Sequence, residues 1–480
     1  MPSAIDTASG RILAGPLAAE VARFGAPLAL GMGLQTAFNL VDAYLIARLE
    51  PEVAGPALGA LGICDQLAAV GTIISYGLTV ATAALLSRRR GQGDQQGVRS
   101  IAWQSVLMVG ALSVITALVG VFGARQLMVH VVGAKGKVAE IGTSYLRVLM
   151  GGGFTIFFLL HLTSIQRALG SSKTPVSMLI TSNSANLLLA ALLVYGPGPA
   201  PPLFSWAPPI ARALGIPRLE LLGAAWATLI ARALVLLPIV IIMVRRFGLF
   251  RPPSITLPHI GIFRSIWGIG WPSSVQLVVR ILAMLVTHSL VARAYTTAED
   301  QSASTAFGVV FRLETMALFI GLGWGSAAQT FVGQNLGAAN PQRAKLSGYY
   351  AALFNSVMMA ALALVYRLYA ERVIGFFDHR PEVLEVGVRY VRLVGWSYVC
   401  LGIGIVLGSA IQGAGATKLT LRLDTLVVFA FQLPTSLIAV MGLGMGYERL
   451  CQIVALTYFA FAVVYILNYR RGTFLKTQLA

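Results

Sequence analysis

Long apolar runs, separated by short polar connections, dominate the chain from residue 24 to residue 469. Each run has roughly the 20 residues or more that an α-helix needs to cross the hydrocarbon core of a bilayer. The runs are continuous rather than alternating, so they predict helices and not the strands of a membrane barrel. Twelve spans are predicted, over residues 24–47, 58–86, 101–122, 143–168, 175–196, 222–244, 265–291, 304–333, 346–366, 388–411, 424–444 and 452–469.

The composition supports a membrane protein and excludes several other classes. Of the 480 residues, 57% are hydrophobic and 11% are charged, whereas a soluble domain carries about 25% charged residues. The net charge of +18 comes mainly from the connections, and it predicts contact with anionic lipid headgroups rather than nucleic acid. The three cysteines and five histidines show no disulfide or metal-ligand spacing. We therefore expect no metal and no cofactor, and the N-terminus lacks the pattern of a cleavable signal peptide.

Lysine and arginine are concentrated in the connections on one side of the predicted spans, as in Arg88-Arg89-Arg90 and at Arg343. Cytoplasmic loops carry such an excess. Together with the even number of spans, this predicts a multi-pass protein of the plasma membrane, or bacterial inner membrane, with both termini in the cytoplasm.

The two halves of the chain repeat each other at a displacement of about 245 residues. Because each half has six spans, both insert with the same orientation, and a pseudo-twofold axis along the membrane normal is expected to relate them. The fold class is thus all-α and polytopic, with two six-helix bundles and a transport cavity between them. The matching segments are 145–148 with 390–393, 166–173 with 411–418, 77–83 with 321–327, and Pro27 with Pro272.

These patterns predict five parts of the chain. They are a cytoplasmic N-terminal segment (1–23), an N-terminal lobe (24–244), a Pro-rich cytoplasmic linker (245–264), a C-terminal lobe (265–469) and a cytoplasmic tail (470–480).

The first span carries polar residues that membrane lipid does not explain. Gln35, Asn39 and Asp42 are spaced i, i+4 and i+7, so an α-helix places them on one face. A carboxylate at bilayer depth costs about 2.5–3.5 kcal/mol on insertion scales unless a partner, water or an ion relieves it. Asp42 therefore predicts a proton or cation site. The alternative is an acid near the outer helix end that reaches toward water or pairs with a neighbour.

Polar side chains on two other spans fall at the same predicted depth as Asp42. Asn183 and Asn186 are on the fifth span and Thr228 is on the sixth. An acid beside amides and a hydroxyl can take a proton or coordinate a small cation. Ordinary interhelical hydrogen bonding is the alternative for the amides and the hydroxyl.

The second half has its own intramembrane acid, Glu314, with Arg312 two residues before it and Arg280 at a similar depth. One interpretation is a structural Arg–Glu pair. The other is a second proton site or a contact for a cationic substrate, with Gln35 and Arg280 as further members. Asp65, near the start of the second span, is interpreted as a solvated helix end.

Several stretches resemble the multidrug and toxic compound extrusion (MATE) family, in the family's order over about residues 20–425. The resemblance implies a twelve-helix antiporter that couples inward H⁺ or Na⁺ to the export of organic, often cationic, compounds. The stretches are Pro27 through Asp42; Gly77; Ser87-Arg88 with Gly91-Gln-Gly93-Asp94; Gln166 through Pro175; Gly223 through Thr228; and Ala327 through Gly337 followed by Arg343-Ala344.

The resemblance assigns roles to four residues of this chain. Asp42 matches the family's cation-coupling aspartate, Pro27 the proline at which the first helix bends, and Asn186 and Thr228 polar members of the same site. One departure concerns Ala190, since the family commonly has a second aspartate there. A single carboxylate neutralises Na⁺ less well, which favours H⁺ as the coupling ion. Thr163 or Ser164 also replaces an expected asparagine.

The sequence thus predicts a secondary active antiporter, not an enzyme, that works by alternating access on small organic molecules. It is expected to act as a monomer among membrane lipids. A flippase for lipids or lipid-linked oligosaccharides is the alternative within the same broad fold. A membrane-embedded enzyme would require clustered His, Asp or Glu, which the sequence lacks, and unequal polar sites in the two halves favour an exchanger over a channel.

Overall fold

The computed structural model describes residues 4–250, 257–297 and 299–478, and within these ranges it leaves out the side chains of residues 4–8, 37, 39–41, 43 and 51. Helices make up the described chain, and twelve of them are long and apolar enough to cross a membrane. The predicted fold class of two six-helix bundles is confirmed.

The first six spans follow a short helix, α1 (Ala4–Ala14). They are α2 (Leu17–Ala47), α3 (Pro51–Gly91), α4 (Gln95–Gln126), the consecutive helices α5 (Gly136–Gly151) and α6 (Phe154–Ala168), α7 (Lys173–Tyr195) and, after the short outer helix α8 (Ala207–Ala213), α9 (Glu220–Phe247).

The last six spans have the same order. They are α10 (Ile260–Ala294), α11 (Ser302–Gly337), α12 (Pro341–Leu368) with the short α13 (Ala370–Gly375), the consecutive helices α14 (Pro381–Val394) and α15 (Tyr398–Gly413), the eleventh span from α16 (Thr417–Thr425) through α17 (Leu433–Leu437), and α18 (Tyr447–Arg471). Part of the predicted linker, residues 251–256, lies outside the described residues.

Several helices extend well beyond the predicted spans. Helix α2 begins at Leu17, directly after Pro16, rather than at residue 24, and α3 continues for 41 residues to Gly91. At 1.5 Å per residue, α3 is about 60 Å long, roughly twice the thickness of the hydrocarbon core. Apolarity marks the part of a helix that lies in lipid, whereas backbone hydrogen bonding continues past it. The predicted bounds were therefore too short.

The first helix of each lobe packs against both lobes. The early residues Val21 and Phe24 of α2 belong to the apolar core of the second lobe, and Leu45 and Ile46 belong to that of the first. In α10 the arrangement is reversed, because Ile266 packs in a core of the first lobe and Ala283 in one of the second. A proline lies inside each of these helices, Pro27 in α2 and Pro272 in α10, and the contacts of α2 with the second lobe continue past Pro27 to Ala29.

Two equivalent helix crossings join the lobes. Helix α2 crosses α11 where Ala29 meets Gly323, and α10 crosses α3 where Ser274 meets Gly77. A Cβ on Gly323 would collide with the Ala29 backbone, and one on Gly77 would collide with the Ser274 hydroxyl and the Gly270 carbonyl. Glycine is required at both crossings because the helix backbones touch.

The lobes are also bonded to each other near the end of the bundle that carries Arg88, Arg89, Arg90 and Arg343, which we call the basic end. Gln334 Nε2 donates to the Ala168 carbonyl at 2.8 Å. Gln329 Nε2 donates to the Val80 carbonyl at 3.1 Å. The interface between the lobes is thus closed at the basic end.

Helix α1 lies across this closed interface. Arg90, from the first lobe, donates its Nε to Ser9 Oγ at 2.8 Å. Arg343, from the second lobe, donates to the carbonyls of Ile12 at 3.2 Å and Gly15 at 2.5 Å. The N-terminal helix is therefore held by both lobes at once.

Candidate functional site

Asp42 is held by an amide and, through it, by a hydroxyl from two other spans. Asn186 Nδ2, on α7, donates to both carboxylate oxygens of Asp42, at 3.1 and 3.4 Å. The Thr228 hydroxyl, on α9, lies 3.1 Å from Asn186 Oδ1 and 2.9 Å from the Ala224 carbonyl, so it can donate to either. The structure thus brings three sequence-predicted site residues into one chain of contacts across α2, α7 and α9.

A small cavity of about 30 Å³ adjoins this chain of contacts. A buried water needs roughly 10–15 Å³ by this kind of measure. The cavity can therefore hold one or two waters beside Asp42, and it is too small for an organic molecule. Its walls consist of Phe38, Asp42, Ser182, Asn183, Asn186, Thr228 and Arg232.

Arg232 is a member of this cavity that the sequence analysis missed. It lies on α9, four residues after Thr228, and it interacts electrostatically with Asp42. The signal was present in the sequence, because residues spaced i and i+4 share a helix face. Asp65 is exposed, but it lies 14 residues after the start of α3 and is therefore not at the helix end that the sequence predicted. It interacts electrostatically with Asp42 and Arg232. Asp65 does not line the cavity, and the described lining therefore holds one carboxylate, Asp42, and one guanidinium.

The other predicted residues of the first lobe lie apart from this contact chain or outside the described part. The side chain of Asn39 is not among those described. Gln35 is half-buried on α2 and is not among the residues that line the cavity. Ala190 is completely buried in apolar core, and Pro27 lies inside an unbroken α2.

Glu314 does not form the Arg–Glu pair that was one interpretation of the sequence. Its carboxylate accepts hydrogen bonds from the hydroxyls of Tyr390, at 3.2 Å, and Tyr458. Within the described residues no ion pair to Glu314 is found: Arg280 pairs with Asp424 instead, and the exposed Arg312 faces the ring of Phe377. The predicted pairing of Arg280 with Glu314 is therefore wrong, because the acid that pairs with Arg280 is Asp424.

Asp424 is completely buried, and it is the centre of a hydrogen-bond network. It accepts from Arg280 Nε at 2.5 Å, Gln276 Nε2 at 2.9 Å and the Tyr465 hydroxyl at 2.5 Å. Gln412 Nε2 donates to Gln276 Oε1 at 2.9 Å. The sequence analysis missed Asp424 because it lies at the first position of a predicted span, where an acid is unremarkable.

A second, larger cavity of about 140 Å³ lies inside the second lobe. Glu314, Tyr390 and Tyr458 line it, together with Thr287, which stands 245 residues after Asp42. The two cavities thus occupy equivalent places in the two lobes, but the acid of the second comes from α11. In the described chain no group of three or more His, Cys, Asp or Glu is arranged to hold a metal ion.

Comparison with protein families finds a match to the MatE family model over residues 27–192 and 272–438. The two matches begin at Pro27 and Pro272, and these positions are separated by the same 245 residues as the internal repeat. Among the curated proteins, a probable multidrug resistance protein of Bacillus subtilis is 24% identical over 92% of this chain and 93% of its own. An FAD transporter of Shewanella oneidensis is 24% identical over 84% of this chain and 83% of its own.

Solved structures share the fold. An outward-facing multidrug resistance MATE transporter of the MOP superfamily superposes with a TM-score of 0.86 at 22% identity, covering 98% of this chain and 99% of that one. A MATE protein in the straight conformation gives a TM-score of 0.85 with the same coverage and identity.

Proposed function

Because the chain belongs to the MatE family, we propose that it is a secondary active antiporter that exports organic compounds, often cations, in exchange for protons. Relatives named as multidrug resistance proteins match it over nearly their full length, which supports efflux of small molecules. The observation that carries the proposal is Asp42, an intramembrane carboxylate held by Asn186 beside Arg232 in a cavity too small for a drug.

The coupling ion is H⁺ rather than Na⁺. A guanidinium, Arg232, lines the same cavity as Asp42 and already balances part of its negative charge. A bare Na⁺ would meet this positive charge, and the α7 position at which the family commonly has a second carboxylate is here the buried Ala190. Protonation needs neither extra space nor a further acid, so it suits the site better.

Protonation of Asp42 changes the relative position of the two lobes through helix α2. Adding a proton removes the charge of Asp42 and so alters its contacts with Asn186 and Arg232. Helix α2 carries Asp42 and also the residues that pack in the second lobe on both sides of Pro27, such as Phe24 and Ala29. Helix α2 has two conformations in this proposal, straight and bent at Pro27, and the charge of Asp42 determines which one is favoured. The bend moves the two lobes relative to each other. Alternating access follows, with residues 24–244 and 265–469 as the moving bodies.

The basic end faces the cytoplasm, since short cytoplasmic loops carry the excess of Lys and Arg. Helix α1 and the end of α18 lie at this end: Arg343 binds the Ile12 carbonyl, and Lys345 Nζ donates to the Arg470 carbonyl at 2.8 Å. The chain acts as a monomer in the plasma membrane, with lipids and small organic substrates as its partners.

The test is transport in proteoliposomes, with ethidium as the organic cation and with FAD as a second solute because one relative transports it. A pH gradient should drive ethidium movement, and an equal Na⁺ gradient should not. Asp42→Asn should abolish this transport, whereas Asp378→Asn, in an exposed ion pair with Arg380, should leave it unchanged.

Wild-type transport by a correctly folded Asp42→Asn protein would reject the proposal. Transport driven by Na⁺ alone would reject H⁺ as the coupling ion. Movement of a fluorescent lipid between leaflets without a pH gradient would favour the flippase instead.

A further inference from the structure

We propose that the cavity of the second lobe is a binding site for one small aromatic or quaternary ammonium cation, with the Glu314 carboxylate as its counter-ion. The site is separate from Asp42. The inference rests on the proposed function in one respect, since it states where a transported cation is held.

The charges around the cavity leave one acid without a cation. Arg280 lines the cavity, but its guanidinium is 2.5 Å from Asp424 and is therefore balanced. Glu314 has only the neutral hydroxyls of Tyr390 and Tyr458 as partners among the described residues. Counted together with Asp424, which lies behind the lining, these groups carry a net charge of about −1 when Glu314 is ionised, and a monovalent cation would neutralise it.

The walls are suited to an organic rather than a metal cation. Phe307, Phe311 and Phe461 line the cavity beside the two tyrosines, and the faces of aromatic rings attract cations. One of these rings already does so, since the Arg280 guanidinium carbon lies 5.3 Å from the centre of the Phe461 ring. A metal ion would need several oxygen ligands, and in the described lining Glu314 is the only carboxylate.

The size of the cavity suits a ligand of about one ring. A cavity of about 150 Å³ in another protein holds benzene, and this one measures about 140 Å³. The equivalent space beside Asp42 measures about 30 Å³. The pseudo-twofold axis therefore relates a first-lobe cavity that can hold one or two waters to a second-lobe cavity that can hold a ring-sized ligand. Thr287 in the second cavity takes the place of Asp42 in the first.

The test measures binding of tritiated N-methylpyridinium to the full-length protein in lipid nanodiscs. Toluene has the same shape without the charge and serves as the size-matched ligand. We expect Glu314→Gln to weaken binding of the cation at least tenfold and to leave binding of toluene unchanged. Glu299→Gln, an exposed acid outside the cavity, is the matched control and should bind both ligands as the wild type does.

A second variant keeps the test decisive if Glu314→Gln does not fold. Met284→Trp adds an indole to the lining of the cavity and leaves the acid in place, so it should weaken both ligands at least tenfold. Wild-type binding of N-methylpyridinium by either folded variant overturns the inference.

Asp42→Asn separates this inference from the proposed function. We expect it to bind N-methylpyridinium normally while transporting nothing. Loss of binding in this variant, with normal binding by Glu314→Gln, would place the cation in the first lobe and overturn the inference alone. Normal transport by Asp42→Asn would overturn the proposed function, while the effect of Glu314→Gln on binding would still stand.

Discussion

Arg280 Nε and Asp424 Oδ2 lie 2.5 Å apart, an ion pair that joins α10 to α16 inside the second lobe. The carboxylate is completely buried, and the guanidinium borders the cavity. Asp424 pairs with this guanidinium, and among the described residues Glu314 has only the hydroxyls of Tyr390 and Tyr458 as partners. The second lobe thus contains one acid in a structural ion pair, Asp424, and one acid whose described partners are all neutral, Glu314.

Removing Asp424 should destabilise the protein. Asp424→Asn leaves a largely buried guanidinium without its counter-charge, and breaking a buried pair in this way costs about 3–5 kcal/mol. Thermal unfolding in detergent should show the loss. Asp378→Asn breaks an exposed pair with Arg380 and should cost at most about 1 kcal/mol. Equal effects of the two substitutions would contradict a structural role for Asp424.

The two polar partners in the first lobe should differ in their effect on transport. Asn186 bonds the Asp42 carboxylate directly, and a hydrogen bond to a charged group contributes about 1.5–3 kcal/mol. Asn186→Ala should slow proton-driven efflux about tenfold or more. Thr228 is bonded to Asp42 only indirectly, through the amide of Asn186, so Thr228→Val should slow efflux a few-fold.

Initial rates of efflux from proteoliposomes, normalised to the amount of folded protein, measure both effects. A larger loss for Thr228→Val than for Asn186→Ala would show that the hydroxyl, and not the amide, is the group on which Asp42 depends.

Gly77→Ala should open the interface between the lobes near the basic end. The added Cβ would collide with the Ser274 hydroxyl and the Gly270 carbonyl across the crossing of α3 with α10. Nitroxide labels at the exposed Gln96 and Gln342, one on each lobe, should report longer distances by pulsed electron resonance. Gly268→Ala is the control, because a Cβ there meets open space. Unchanged distances in Gly77→Ala would show that the crossing does not set the closed arrangement.

The loop between α7 and α9 should loosen in acid. Arg218 Nη1 lies 2.9 Å from Glu50 Oε1, and this bond and charge hold the pKa of Glu50 below its ordinary value of 4.5. A lowered carboxyl pKa means that the bond stabilises the folded loop above pH 4.5 and is lost as the pH falls through the lowered pKa.

Hydrogen–deuterium exchange over residues 196–206 measures the change, after correction for the intrinsic pH dependence. At pH 7 the loop of Arg218→Gln should exchange faster than that of the wild type, and the difference should shrink as the pH falls below 4.5. A difference that stays constant as the pH falls would mean that Arg218 holds the loop through another contact.

Much of the fold could be predicted because lipid imposes a simple rule on sequence. A run of apolar residues identified each of the twelve spans, and the repeat fixed their division into six and six. The helix ends could not be found in this way, as α2 shows. Its first turn carries Glu20, outside the apolar run, yet the backbone there is already helical.

The candidate sites show where such inference stops. Depth along the helices was enough to suggest that Asn186 and Thr228 approach Asp42, and the structure places them in contact. Asp424 and Tyr458 gave no such signal. Each lies near one end of its span or among apolar neighbours, and its importance depends on which residue of another helix faces it. Hydropathy along one helix does not contain that information.

Helix α1 is anchored to Arg90 of one lobe and to Arg343 of the other. Any rearrangement that parts the lobes at the basic end must break one of these two attachments, because a helix of 11 residues cannot stretch. The contacts of α1 therefore depend on the distance between the two lobes, although α1 belongs to neither of them. A protease that cuts at Arg11 would sample this separation directly, and its rate of cleavage would count how often the protein opens.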